Sequence, residues 1–374
     1  MNITLKRTDE QVELVKAMAS RDRNVAYEAQ AALAEFMGPV LAEVVNQAPV
    51  VSNLFSSFSF NADSNPSLPL DLYYDINAED YIKVYSTTVP GGLPTNQVLP
   101  TASELKFTTY RLDSAVSFDR RYALQSRLDV VGKSMTRVAQ EILLKQQSTS
   151  ANLILGSLAD AETNGESHVM AQADATLGFT LADFNKLVTK AKRINTAWTG
   201  GTPENSIKGI TDLIVSPETM EDLRAMSYNP VNTSTGPAAG AGTGLVAAPE
   251  GYREKVFANG GVPELYGIGL MEINELGRQR KFCKLMDSFM NASPVAGNPA
   301  LFGDQDDLVI GIDRSRESLI RAVATDSETG AEFSLIADDQ YSNRQQKLGW
   351  FGSIEEGRMV VDNRVLTGVV VSGH

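Results

Sequence analysis

The residue types that could carry out chemistry are few in this sequence, and most of them are carboxylates. Three acids cluster in Asp304-Gln-Asp-Asp307, and adjacent pairs stand at Asp338-Asp339 and Glu355-Glu356. Two carboxylates can act as acid and base in glycoside hydrolysis. One hypothesis is therefore a carboxylate-dependent hydrolase of saccharides, whose candidate residues are Asp304, Asp306, Asp307, Glu355 and Glu356.

Three features of the sequence count against a hydrolase. Glu355 and Glu356 lie in a predicted strand, where adjacent side chains point to opposite faces. The aspartates match no calcium loop, which needs spaced acids, a glycine and a distal glutamate. The chain has only 2 tryptophans, although sugar-binding clefts often stack their substrate on aromatic rings. We therefore interpret the aspartates as solvated turn residues.

Histidine and cysteine are too scarce for other catalytic or metal sites. With 2 histidines and 1 cysteine, we expect no His-based triad, and Cys-based zinc sites and intrachain disulfides are excluded. Cys283, in RKFCKLM, is predicted to be a core residue in a strand. The loop Gly240-Ala-Gly-Thr-Gly-Leu lacks the third glycine of a dinucleotide loop. The sequence thus predicts no catalytic residue, no cofactor and no metal ion.

Composition indicates a folded chain with an acidic surface. The 374 residues are 43% hydrophobic, with a formal net charge of −13 and no apolar run long enough to span a bilayer. The N-terminal sequence MNITLKRTDEQVELVK lacks the apolar core of a signal peptide, so we expect cytosolic synthesis. The negative charge argues against extended binding to nucleic acid, because phosphates are held by clustered lysine and arginine.

The N-terminal part differs from the rest of the chain. Thr8 and Gln11 form a capping pattern that predicts a short helix. A second amphipathic helix includes Phe36, and Gly38-Pro39 is predicted to break or kink it. No lysine or arginine occurs from Asn24 to Ile82, whereas helices that lie on a membrane surface normally carry basic residues. We therefore expect this helix either to bind a protein surface or to pack on the core of its own chain.

The next segments predict extended structures that are not stable alone. VVSNLFSSFSFNADSNPSLPL resembles an extended arm, whose aromatic residues need a covering surface. Residues 68–119 predict a two-stranded ribbon with its tip in VPGGLPTNQVLP. A ribbon of this length is marginally stable by itself, so we expect it to lie on a neighbouring subunit.

Regular elements follow the ribbon. Residues 120 to about 156 give the longest helical pattern, with an apolar stripe that begins at Leu124. A further helix begins at Thr180, with Asp183 as its capping residue. TDLIVSPETMEDLRAM predicts a buried strand that turns into a helix, capped by Ser216 with Pro217 in its first position. Several strands follow, and the last begins near Val365.

This order of elements resembles the major capsid protein of tailed bacteriophages, the Hong Kong 97 phage fold. The resemblance covers nearly the whole chain by element order, and TDLIVSPETMEDLRAM is its most familiar part. It implies an α+β fold with an N-terminal arm at residues 1–67 and an extended loop at 68–119. A peripheral domain with the spine helix would take residues 120–205 and 321–374, and an axial domain 206–320.

The resemblance also implies function and partners. The chain would be a structural subunit, not an enzyme, which assembles as hexamers and pentamers into an icosahedral shell that encloses double-stranded DNA. A separate scaffolding protein, a portal and decoration proteins would be partners, with assembly in the bacterial cytoplasm and no membrane. The candidate intersubunit contacts are Phe36, Phe55, Phe58, Phe60, Pro90 and Leu93. Deleting residues 1–60 is expected to leave a soluble chain that forms no shells.

Two alternatives remain beside the hydrolase. A cellular nanocompartment shell uses the same fold, although this chain is longer than expected for one. A tail or fibre protein is a third possibility, against which the long helix and the lack of sequence repeats count.

Overall fold

The computed structural model of the chain describes most of its length and separates it into two compact units. The residues outside the description are 1–7, 49, 62–65, 70–103, 162–167, 174–177, 200–208, 229–230, 233–244, 247–249, 260–263, 293–301, 304, 326–331, 339–345 and 373–374. The first unit comprises Met1–Leu68, Lys106–Ala151 and Leu319–Met359. The second unit comprises Pro69–Leu105, Asn152–Ser318 and Val360–His374. The predicted ribbon tip lies outside the described residues.

Helices and strands are interspersed along the chain. The helices are α1 Asp9–Met18, α2 Arg23–Gln47, α3 Arg120–Leu124, α4 Leu128–Ala161, α5 Leu181–Thr199, α6 Pro217–Tyr228, α7 Glu250–Asn259 and α8 Lys281–Ala292. The strands are β1 Ser56–Asn61, β2 Ser67–Pro69, β3 Glu104–Lys106, β4 Thr109–Asp119, β5 Val169–Ala171, β6 Asp212–Val215, β7 Val231–Asn232, β8 Leu245–Val246, β9 Glu264–Leu265, β10 Ile268–Glu272, β11 Asp307–Ile312, β12 Leu319–Thr325, β13 Ser334–Asp338, β14 Lys347–Val360 and β15 Leu366–Val371. No described helix is long and apolar enough to cross a membrane.

The N-terminal helices belong to the core of the first unit. The Thr8 side chain accepts a hydrogen bond from the Gln11 N–H, which confirms the predicted cap of α1. Of the break or kink predicted at Gly38-Pro39, the break is absent, because α2 continues through Pro39 to Gln47. Met37 and Leu41 are both buried on either side of the proline. Burial of this apolar face outweighs the backbone hydrogen bond that proline removes.

The predicted long helix is two helices. Residues 125–127 separate α3 from α4, and Ser126 there adopts a positive φ of 53°. Leu124 was expected in the buried stripe, but it is 59% exposed because α3 ends at this residue. In α4 the stripe is buried as predicted at Val131, Met135, Val138 and Ile142.

A five-stranded sheet completes the first unit. Its order is β1-β12-β14-β13, and β4 also pairs with β14. β4 and β14 are antiparallel over their whole shared length, from Lys347 opposite Asp119 to Gly357 opposite Thr109. On the core face, Trp350 packs against Phe118 with ring centroids 5.3 Å apart.

The second unit is built on a six-stranded sheet of order β5-β15-β11-β6-β10-β9. Its core joins buried strand residues such as Leu213, Val309 and Val369 to Phe184 and Leu187 of α5. The predicted strand-to-helix junction is present as β6 and α6.

Cys283 is buried as predicted, but RKFCKLM is not a strand. The segment belongs to α8, where Phe282, Cys283 and Met286 are buried and Lys284 is exposed. This spacing has a helical period, yet a seven-residue apolar window does not distinguish a buried helix from a strand.

Candidate functional site

The two glutamates of β14 face opposite sides of the sheet. Glu355 is opposite Arg111 in the β4–β14 pairing and is half-buried. Glu356 is opposite Tyr110 and is 0% exposed, on the face that carries Trp350. Alternation along the strand therefore prevents the two carboxylates from acting on one substrate, as the sequence predicted.

Glu356 is the centre of a buried hydrogen-bond cluster in the first unit. It accepts bonds from four side chains: Tyr110 Oη at 2.8 Å, Gln146 Nε2 at 3.0 Å, Arg321 Nε at 2.9 Å and Arg358 NH2 at 2.9 Å. We call Glu356 and these four residues the Glu356 cluster. Its members come from β4, α4, β12 and β14, so one carboxylate joins four elements.

The end of α2 and the segment after it also bind this cluster. Arg321 NH1 donates to Asn46 Oδ1 at 3.2 Å, and Arg358 NH2 donates to Ser52 Oγ at 2.7 Å. The Arg358 guanidinium lies over the Phe55 ring, 5.7 Å from its centroid. A cation over an aromatic face is stabilised by the ring quadrupole. The N-terminal segment is therefore attached to the sheet by polar and aromatic contacts.

Charge in the Glu356 cluster is unequal, with two guanidinium groups facing one carboxylate. Burial lowers the pKa of Arg358, and the charge of Glu356 opposes that change. Burial raises the pKa of Tyr110, and the negative charge of Glu356 raises it further. Tyr110 therefore remains protonated and donates its hydrogen to the carboxylate. With four donors around it, the Glu356 carboxylate joins elements of the first unit.

Asp307 has a comparable structural role in the second unit. It is 1% exposed and accepts hydrogen bonds from the hydroxyls of Ser216 and Thr219, the latter at 2.9 Å. Ser216 Oγ also accepts the Thr219 N–H at 3.0 Å, which confirms the predicted cap of α6. The interpretation of Asp307 as a solvated turn residue is wrong, because it fixes the start of β11 to the cap of α6.

The other candidate acids are not part of one site. Asp306 accepts a hydrogen bond from the Gly303 N–H at 2.9 Å, and Asp304 and Asp339 lie outside the described residues. Among described residues, no three His, Cys, Asp or Glu side chains come close enough to hold a metal ion. Asp307 and Glu356 belong to different units.

The sequence analysis missed the Glu356 cluster. Its signal was visible, because Arg321 and Arg358 stand within apolar strand segments, ESLIRAV and WFGSIEEGRMVV. A charge inside such a segment indicates a buried ion pair, since an unpaired buried charge is very costly. The sequence does not identify the acidic partner of each arginine. Glu356, for example, lies 35 residues after Arg321 in the chain.

The candidate contact residues fall into three groups. Phe36 and Phe58 are 58% and 42% exposed. Phe55 and Phe60 are 4% and 7% exposed, because they pack within the first unit. Pro90 and Leu93 lie outside the described residues.

Other large apolar side chains on the first unit are also exposed, and sequence reasoning did not select them. They are Val25 at 43%, Tyr27 at 44%, Tyr122 at 43%, Leu124 at 59%, Leu144 at 57% and Ile336 at 52%. Leu144 follows the buried Leu143 on α4. Because both residues are leucine, hydrophobicity alone does not indicate which of them is exposed. Together with Phe36 and Phe58 they are the large apolar side chains of this unit that contact with another protein would cover.

The chain is similar in fold to several solved structures at low sequence identity. The chain is similar to the capsid structure of cyanophage P-SCSP1u, at 13% identity and a TM-score of 0.50, with 86% of this chain and 87% of that chain covered. It is also similar to a structure of Microbacterium phage Oxtober96, at 11% identity and a TM-score of 0.48, covering 86% and 90%. An encapsulin complex from Synechococcus elongatus matches at 11% identity and a TM-score of 0.44, covering 87% of each chain. No family model and no curated protein matched the sequence.

The chain has the Hong Kong 97-type capsid fold. This assignment rests on the cyanophage capsid, which the chain matches along most of its length. The predicted α+β fold class and the resemblance drawn from element order are thus confirmed.

Proposed function

We propose that this chain is the major capsid protein of a tailed bacteriophage, the subunit of an icosahedral shell around double-stranded DNA. The observation that carries the proposal is the fold shared with the cyanophage capsid over 86% of this chain. Because both chains are covered almost equally, the likeness concerns the whole subunit and not one common module.

The described residues support a structural role in two further ways. The buried carboxylates Asp307 and Glu356 have their acceptor positions occupied by side chains that hold elements together. The first unit exposes large apolar residues that would be covered in an assembly. Both features fit a protein whose task is to fold and to contact its neighbours.

In the proposed subunit, the chain would be divided into the arm, loop and two domains that the family resemblance implies. Residues 1–67 would be the arm, 68–119 the extended loop, 120–205 and 321–374 the peripheral domain, and 206–320 the axial domain. Subunits would form hexamers and pentamers. Phe36 and Phe58 would contact neighbouring subunits from the arm, and Pro90 and Leu93 from the loop tip.

The proposed shell assembles in the host bacterial cytoplasm and becomes the capsid of the virion. A scaffolding protein, a portal and decoration proteins would be its partners. The formal net charge of −13 suits an inner wall that encloses DNA without sequence-specific binding.

Electron microscopy of the purified chain tests this proposal. We expect negative staining to reveal closed particles tens of nanometres across, or rings of five or six subunits, with and without a co-expressed scaffold. The mass in solution should agree with these assemblies. A monomer or small dimer under every condition would contradict the proposal. Particles that contain a cargo protein in place of DNA would indicate a cellular compartment.

A further inference from the structure

The outward face of α2 carries an acidic stripe. Glu28, Ala32, Glu35 and Phe36 follow one another at helical spacing and are all exposed, whereas Leu33 and Met37 of the same helix are buried. We call these four exposed residues the acidic stripe. No ion pair joins Glu28 or Glu35 to another residue in the part of the chain that the structure describes.

The acidic stripe ends in an aromatic residue, and the only basic residue of α2 is Arg23 at the start of the helix. Phe36 is 58% exposed, more than the 42% of Phe58. No lysine or arginine occurs from Asn24 to Ile82. A surface that combines unpaired carboxylates with an exposed aromatic ring suits a partner with cations around an apolar site.

The outward face of α4 has the opposite character. Lys133, Arg137, Leu144 and Lys145 are exposed, and Leu144 is 57% exposed. We call these four residues the basic stripe. Two exposed acids interrupt this face, Asp129 near the start of α4 and Glu141 between Arg137 and Lys145. The three cations still leave the face positive, and Arg127 just before the helix adds to this charge. Its three cations form no ion pair with other described residues.

Helix α3 extends the apolar part of this face in sequence. Tyr122 and Leu124 are 43% and 59% exposed, and they precede α4 directly. The first unit therefore presents an acidic helix face and a basic one, each with exposed apolar side chains. Residues of α2 and α4 pack into the same hydrophobic core with their buried faces.

We propose that the acidic stripe of one copy binds the basic stripe of a neighbouring copy. This inference rests on the proposed function, since it names a contact between shell subunits. A contact between two different surfaces of the same chain is head-to-tail. Repeated contacts of this kind close into a ring when the rotation from one subunit to the next divides a full turn evenly. Phe36 and Leu144 supply the apolar burial, and the opposite charges fix orientation, because exposed ion pairs add little affinity by themselves.

Charge reversal with rescue tests the contact. The first variant is Glu28→Lys with Glu35→Lys, the second is Lys133→Glu with Arg137→Glu, and the third combines all four substitutions. Sedimentation velocity and electron microscopy would measure the chain concentration needed for assembly. We expect each double variant to raise it about tenfold or more, and the fourfold variant to return it to within about threefold of the wild type.

A matched control separates contact from net charge. Glu250→Lys with Glu254→Lys changes the net charge as the α2 double variant does, but on exposed positions of α7 in the second unit. This control should assemble at the wild-type concentration. All substituted positions are exposed, so circular dichroism and thermal unfolding of the variants should match the wild type.

Mixing the two double variants tests whether the contact joins separate copies. Each variant alone should assemble poorly, but a mixture pairs lysine on α2 with glutamate on α4 of the other chain and should recover rings. Recovery in the mixture excludes pairing within one copy.

Several results would overturn the contact. If the wild type forms shells and both double variants assemble as well as it does, the proposed contact is contradicted and the proposed function stands. A fourfold variant no better than either double variant would also remove it. Normal assembly of the α4 variant with less enclosed DNA would assign the basic stripe to nucleic acid. A wild-type chain that stays monomeric at every concentration would overturn both proposals.

Discussion

Glu356 lies buried on the core face of β14, where two arginines, a glutamine and a tyrosine donate hydrogen bonds to it. A buried ion pair of this kind need not stabilise a protein relative to an apolar core of the same shape. Its value here is specificity of arrangement, because Asn46, Ser52 and Phe55 contact the same two arginines. The carboxylate thereby determines where the N-terminal segment packs on the sheet.

Glu356→Gln should reduce the free energy of unfolding by about 3–5 kcal/mol, because Arg321 and Arg358 would remain buried without a counter-charge. Urea unfolding, followed by circular dichroism on unassembled subunits, measures this loss. Glu355→Gln is the matched control, since its side chain is half-buried on the other face, and it should change stability by less than about 0.5 kcal/mol. Equal losses in the two variants would contradict the role assigned to Glu356.

The buried thiol of Cys283 gives a prediction for alkaline pH. Burial raises its pKa to about 12 from the ordinary value of 9.0. The unfolded chain therefore loses this proton at lower pH than the folded chain. The thiol's contribution to stability is fully present below pH 9 and is lost as the pH rises toward 12.

The Cys283→Ala variant isolates this effect from other groups that titrate in the same range, Tyr110 among them. Between about pH 8 and about pH 10.5, the wild type should lose about 2 kcal/mol more stability than the variant. Urea unfolding at the two pH values measures the difference. Identical slopes for the two proteins would show that the thiol ionises equally in both states.

At the level of elements, the junction from β6 to α6 depends on one hydroxyl with two partners. Ser216 caps α6 and also donates to the buried Asp307 at the start of β11. Thr8 caps α1 in the same way, but it is exposed and forms no link of this kind to a buried carboxylate among the described residues. Comparing the two caps therefore separates capping from the link to Asp307.

Ser216→Ala should cost about 2–3 kcal/mol, because it removes the cap and leaves the buried carboxylate with one donor fewer. Thr8→Ala should cost about 1 kcal/mol or less, as expected for an exposed cap. Thermal and urea unfolding of both variants would measure these losses. A Ser216→Ala cost no larger than that of Thr8→Ala would mean that the Asp307 bond contributes nothing.

For the whole molecule, the N-terminal helices contribute to the subunit core as well as to its surface. Val15, Met18, Leu33 and Leu41 are buried in the main cluster of the first unit, and β1 pairs with β12. Deleting residues 1–60 would remove this part of the core, so the predicted loss of shells in the truncated chain could follow from lost stability as well as from a lost contact. Surface substitutions on α2 are the proper test of its role in assembly.

Assembly should also stabilise the chain, because any partner that binds the folded state alone shifts the unfolding equilibrium. Scanning calorimetry should give a higher unfolding temperature for assembled particles than for subunits dissociated by dilution. The fourfold charge variant should regain this increase, and each double variant should lack it at the same concentration. The same unfolding temperature for particles and dissociated subunits would contradict stabilisation by assembly.

Local signals in the sequence were sufficient for several features of the fold. The caps at Thr8 and Ser216, the helix stripe from Val131 to Ile142 and the strand Leu366–Val371 follow from side-chain chemistry and spacing within a few residues. The order of these elements was enough to indicate the fold class. It was not enough to indicate the unexpected continuity of α2, whose proline is tolerated because residues distant in sequence bury the helix on both sides of it.

The sequence by itself determined the chain's acidity, the scarcity of histidine and cysteine, and most of the order of helices and strands, although not the helix that contains Cys283. The tertiary structure decided which charges are buried, since Glu356 meets Arg321 and Arg358 only when β12 and β14 enter one sheet. It also decided which apolar residues are exposed, such as Phe36 beside the buried Met37. Burial depends on contacts between segments far apart in the chain, and local pattern does not specify them.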